Sequence, residues 1–141
     1  MFYYIDINPE VREWKIPQMI IHTIIENEYK YAVNINQMLT ILIKASKADV
    51  NGEEMLYVEV EDDGAGYPKE VLQFFENQEN TISKTGERVG LKSVKRMMEL
   101  MYEREGLFTI SNIEPHGCKN TFRIPAHAVQ EMKEQKQIKM D

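Results

Sequence analysis

The sequence predicts an α/β two-layer sandwich, with a mixed, mostly antiparallel sheet covered on one face by helices. Two observations point there. Several segments alternate with a period of two, while residues 16–33 and a stretch from Leu91 to Met101 carry apolar residues at helical spacing. The segments also follow one another as β-α-β-β, then a short helix and a loop, then α-β-β. That places strands in consecutive hairpins, unlike strict βαβ alternation.

The elements follow in order. "FYYIDI" (2–7) is aromatic and β-branched, so it reads as a strand. "IPQMIIHTIIENEYKYAV" (16–33) reads as a helix with Pro17 in its first turn, where a missing N–H costs nothing. "INQMLTILIKA" (35–45) places Leu39, Ile41, Ile43 and Ala45 on one face of a second strand. Asn51-Gly52 marks a tight hairpin, and "MLYVEVED" (55–62) returns with Leu56, Val58, Val60 and Asp62 on one face. Residues 68–75 read as a short helix. "NQENTISKTGERV" (77–89) has no apolar period and reads as a long loop, a class that tends to be functional. Leu91, Val94, Met98 and Met101 mark the second long helix. "LFTIS" and "NTFRIP" close the sheet as a hairpin, with Gly117 in its turn. The organisation expected is one domain over residues 1–127 and a charged tail over 128–141.

A formal net charge of −6 argues against a nucleic-acid partner, which needs a basic face. Cys118 is the sole cysteine, so no intramolecular disulfide is available, and no Cys/His cluster suggests zinc. Apolar runs stop far short of the ~18 residues that span a bilayer, so the domain itself is expected to make no membrane contact. "MFYYIDINPE" lacks a signal-peptide pattern. The expected setting is cytoplasmic, as the cytoplasmic part of a longer membrane protein.

Three places break their local rule. Asn27 falls on the apolar stripe of Ile20, Ile24 and Tyr31, where an unsatisfied amide costs ~1–3 kcal/mol. Its oxygen could ligate a hard cation such as Mg2+, which keeps several waters and accepts few protein ligands. Glu26 beside it could orient or deprotonate a nucleophile, or simply pair with Lys30 one turn on. In "EDDGAGYP" (61–68), Asp62 points inward at a strand end and needs donors, such as an adenine amine. Gly64 and Gly66 would let a flat ring approach. In "KTGERVGLKSV" (84–94), Gly86 and Gly90 lead into a helix N-terminus at Leu91, an anion-binding arrangement, with Lys84, Arg88 and Lys92 adding positive charge. One nucleotide could satisfy all three, with adenine at Asp62, Mg2+ at Asn27 and phosphates from Gly86 to Leu91.

These motifs, in this order, resemble the ATP-binding fold shared by gyrase, MutL, Hsp-type chaperone ATPases and histidine kinases, the Bergerat or GHKL fold. Within it they are most similar to the catalytic domains of LytS/YesM-type sensor histidine kinases. "IPQMIIHTIIENEYKYAV" resembles the N box, "VEDDGAGYP" the first glycine box and "GERVGLKSVKRMME" the second. The resemblance implies ATP and Mg2+ as cofactors, with Asn27 holding the metal and Glu26 helping to activate a phosphoacceptor histidine. Lys30 would lie near the phosphates. Asp62 would bind the adenine amine in a pocket shaped by Gly64 and Gly66. Gly86, Gly90 and the amides near Leu91 would hold phosphate, and Thr121 would stand near the adenine. It also implies two protein partners: a helical segment bearing the phosphoacceptor histidine, and a response regulator downstream.

The chain departs from the family pattern at three points. Arg88 occupies the middle glycine of the second box, where it either crowds the phosphates or contacts them. Tyr31 stands where histidine is common, and "HGCKNTF" lacks the paired glycines that usually precede the threonine. His22 lies off the Asn27 stripe and reads as a surface histidine, so the phosphoacceptor is expected elsewhere in the intact protein. The rival readings are a degenerate GHKL module that binds a partner with little turnover, and a stand-alone serine kinase of the anti-sigma-factor type.

Overall fold

The computed structural model describes residues 2–76, 89–126 and 137–139. Five strands form the main sheet in the order β1-β3-β4-β6-β5, where β1 is Phe2–Ile7, β3 Thr40–Val50, β4 Glu53–Asp62, β5 Phe108–Asn112 and β6 Cys118–Pro125. Only β1 and β3 are parallel; the other three pairings are antiparallel. A parallel pair needs a long crossover, and helix α1 (Gln18–Ile35) supplies it. The mixed, mostly antiparallel sheet expected from the sequence is the one found.

Helix α1 starts and ends two residues later than its periodicity predicts. Pro17 is the last residue of a short strand, β2 (Lys15–Pro17), not part of the first helical turn. At the other end, Asn36 adopts φ +51, and the N–H groups of Asn36 and Gln37 donate to the carbonyls of Val33 and Ala32. This is a Schellman cap, with asparagine tolerating the left-handed region. It displaces the start of the next strand from residue 35 to Thr40.

The β3–β4 hairpin turns at Asn51 (φ +52) and Gly52 (φ +82), the positive pair that matches strand twist. Its register sets the two faces of the sheet. Ile41, Ile43 and Ala45 lie opposite Asp62, Val60 and Val58, which in turn lie opposite Cys118, Asn120 and Phe122. This face carries the core and the helices. On the other face, Lys44 and Lys119 stand 3.4–3.9 Å from the carboxylates of Glu59 and Glu61.

Helix α3 (Val89–Tyr102) packs beside α1 on the core face. It also closes the end of α2 (Lys69–Glu76): Lys92 and Lys95 donate to the carbonyls of Phe74 and Phe75 at 3.0 and 2.7 Å. Those last-turn carbonyls have no intrahelical partner, so lysines supply one. Phe75 meets Phe108 edge-on, and Phe108 stacks on Phe122 at 4.5 Å. In the expected charged tail, strand β7 (Gln137–Lys139) pairs antiparallel with β2. The predicted loop lies outside the described residues up to its last position, and Val89 opens α3.

Candidate functional site

The described parts of the three rule-breaking motifs lie toward one end of the sheet. Ile20, Ile24, Glu28 and Ala32 form the buried stripe of α1, while Asn27 and Tyr31 sit half-buried on its flank. Asn27 Nδ2 is buried and has no hydrogen-bond partner among the described residues. Its Oδ1 faces the first turn of α3, where a Cβ added to Gly90 would lie 2.9 Å away. Only a glycine admits this approach, so Gly90 and Asn27 form a single contact. The α3 N-terminus lies next to it, and the first N–H groups of a helix have no intrahelical partner. Leu91 is buried beneath them as a core residue.

Asp62 ends β4 on the core face at 4% exposure. Its Oδ1 accepts the Gly64 N–H at 2.9 Å, and the Cys118 thiol donates to its Oδ2 at 2.8 Å. The loop after Asp62 is clamped by the β5–β6 connection. Asn112 accepts the Tyr67 N–H at 2.6 Å and donates to its carbonyl at 3.0 Å, and His116 Nδ1 donates to the Asp63 carbonyl at 3.0 Å. A Cβ on Gly117 (φ +113) would collide with the Asp62 carbonyl, so glycine is required there too. Tyr31 reaches this end of the site: its Cε1 lies 3.4 Å from where a Cβ on Gly64 would sit. Gly66 (φ +92) lies beneath Asn112.

The structure corrects one placement and qualifies three others. Thr121 is on the opposite face of β6 from Asp62: it registers with Glu59 and Thr109. Side chains alternate across a strand, so a one-residue offset reverses the face. Cys118 is the β6 residue beside the Asp62 carboxylate. Glu26 and Lys30 are exposed and pair with each other at 2.9 Å, one helical turn apart. Lys92 is held by α2. Gly86 and Arg88 lie outside the described residues. His22 is exposed, as expected.

The sequence reading missed Glu28, Cys118 and Asn120. Glu28 is 2% exposed, and its Oε1 accepts the Asn120 amide at 3.3 Å and lies 3.9 Å from the Cys118 sulfur. The Tyr67 hydroxyl donates to Asn120 Oδ1, and the Asn120 amide also reaches the Val60 carbonyl at 3.2 Å. The Tyr3 hydroxyl is held above its ordinary pKa by desolvation first, and then by the charges of Glu28 and Tyr29. A signal for these residues existed in the sequence. Glu28 follows Ile24 by four, and Cys118 and Asn120 alternate with Phe122 and Ile124.

Comparison with known proteins bears on the family and the fold. Residues 15–128 match the family described as histidine kinase-, DNA gyrase B- and HSP90-like ATPase. The chain is 28% identical over 123 residues to the sensor protein LytS of Enterococcus faecalis, which covers 85% of this chain and 20% of that protein. The chain thus spans about one fifth of the length of this relative. Among solved structures, a nucleotide-free catalytic domain of histidine kinase ThkA superposes with a TM-score of 0.61 at 19% identity, covering 89% of this chain and 80% of that one. Histidine kinase ThkA in complex with the response regulator TrrA gives 0.58 at 18% identity, covering 89% of this chain and 34% of that one. No described helix is long and apolar enough to cross a membrane. With its matched region spanning both glycine-bearing motifs and the Asn27 helix, the chain belongs to the histidine kinase-, DNA gyrase B- and HSP90-like ATPase family.

Proposed function

We propose that this domain holds Mg-ATP between α1 and α3 and, as the cytoplasmic part of a longer membrane-bound sensor, presents the γ-phosphoryl to a histidine on a separate helical segment. A response regulator would be the next acceptor. The single observation that carries this reading is Asn27, whose buried Nδ2 has no hydrogen-bond partner among the described residues and whose Oδ1 stands over Gly90 at the N-terminus of α3. The residues present fit the implied groups. An amide flip of Asn27 turns its oxygen toward a cation, a change that leaves the side-chain shape intact. The α3 N–H groups suit phosphate oxygens. When bound, Mg2+ neutralises phosphate charge and orients the γ-phosphoryl for transfer.

The remaining roles fall to this chain's own groups. Asp62 takes the adenine amine, held in place by the Gly64 N–H and the Cys118 thiol. Glu26 is exposed at the mouth of the site, where an incoming phosphoacceptor can reach it. There it accepts or orients a proton on the acceptor imidazole. Lys30, its ion-pair partner, is released toward the phosphates when the acceptor engages Glu26.

Calorimetric titration with ADP and Mg2+ tests the reading. The expected outcome is binding by the wild type, lost with Asp62→Asn and with Asn27→Asp. No heat and no thermal shift at millimolar nucleotide would overturn it. That result would favour a partner-binding module instead, the reading that Arg88 and the altered "HGCKN" turn suggest.

A further inference from the structure

Glu28 is a buried carboxylate that the proposed chemistry does not use. It lies on the core stripe of α1, four residues from Ile24 and Ala32, where an apolar side chain would serve packing. Burying a carboxylate there is costly unless it serves a donor. Its oxygen, that of Asp62 and the sulfur of Cys118 all lie within 4.8 Å of one another. Asn120 donates to Glu28 Oε1 at 3.3 Å and is itself held by the Tyr67 hydroxyl and the Val60 carbonyl. Asp62 is fixed just as firmly, by the Gly64 N–H and the Cys118 thiol. Two acceptors from different elements are therefore held in register.

That spacing has a natural ligand. An aromatic amino group has two N–H bonds about 120° apart, each reaching an acceptor at about 2.9 Å, so its two acceptors sit about 5 Å apart. We infer that Glu28 is a second base-reading carboxylate, which with Asp62 takes both hydrogens of the exocyclic amine of the nucleobase. The inference rests on the proposed nucleotide site and deepens it, by making this chain a reader of the primary amine. Asp62 keeps lone pairs for the amine, because a carboxylate offers about four and its two recorded bonds use one on each oxygen.

The test compares ADP with N6-methyl-ADP, in which one of the two hydrogens is replaced. Where one carboxylate reads the amine, the methyl turns to the free side and little is lost. Where two do, either rotamer loses a bond. The wild type is expected to bind N6-methyl-ADP about tenfold more weakly than ADP. Glu28→Met, of similar volume and without an acceptor, is expected to bind ADP about tenfold more weakly and to bring the ratio to about one. Glu28→Gln restores one acceptor and part of the ADP affinity. Unchanged ADP affinity in Glu28→Met would overturn the inference, and so would a methyl penalty that persists there, which would mark Glu28 as a space-filling residue. Absence of ADP binding by the wild type itself would instead overturn the nucleotide reading, so the two failures are separable.

Discussion

Gly90 is a glycine because Asn27 stands over it. With Oδ1 only 2.9 Å from the position of an added Cβ, Gly90→Ala forces Asn27 to turn away from α3. Alanine favours the helix by up to ~1 kcal/mol over glycine, so the folded state is not expected to suffer. The expected result is a fall in ADP affinity of about tenfold or more with a melting temperature within a few degrees of wild type, measured by calorimetry on one sample. A matching loss of both would mean that the contact serves packing alone. The same scale explains why Asn27 was legible and Glu28 was not. Asn27 broke an apolar stripe drawn through Tyr31, whereas the buried stripe runs through Glu28 and Ala32. Helical spacings of three and four residues both satisfy a periodicity, and packing against the sheet selects between them.

At the scale of elements, α3 does most of the positioning. Its first turn meets Asn27, its second caps α2 through Lys92 and Lys95, and its last residue, Tyr102, is partly buried beside the core. Burial lifts the Tyr102 hydroxyl well above its ordinary value. The unfolded chain releases that proton near pH ~10 while the folded chain retains it. Stability is thus fully present below pH ~10 and falls as the pH rises above it. Melting temperatures across pH 9–11 (roughly the range bracketing an ordinary tyrosine) should decline more steeply for the wild type than for Tyr102→Phe. Parallel declines would remove Tyr102 as the source. Among the strands, the Asn51-Gly52 hairpin was readable because its turn demands two positive φ angles. The place of Thr121 came from the family resemblance alone, and the β4–β6 register puts Cys118 opposite Asp62 while Thr121 lies opposite Glu59.

For the whole molecule, the ribbon of β2 and β7 is the feature that composition hid. It joins the chain's end to the segment before α1 through three residue pairs, a contact that two short strands hold only marginally by themselves. A chain ending at residue 127 is therefore expected to lose a few degrees of melting temperature and to bind ADP within about twofold of the full chain. A larger affinity loss would make the tail part of the site and not an appendage to it. The sequence by itself determined the sandwich, the chain order of the main-sheet strands, and the three motifs. Each of these rests on local periodicity, turn chemistry or spacing along one element, which neighbouring residues encode. Only the tertiary structure decided that Asn27 meets Gly90, that Cys118 and not Thr121 stands beside Asp62, and that Glu28 joins them. Those contacts join residues 56 to 92 positions apart, and strand register and the seating of α1 on the sheet fix them.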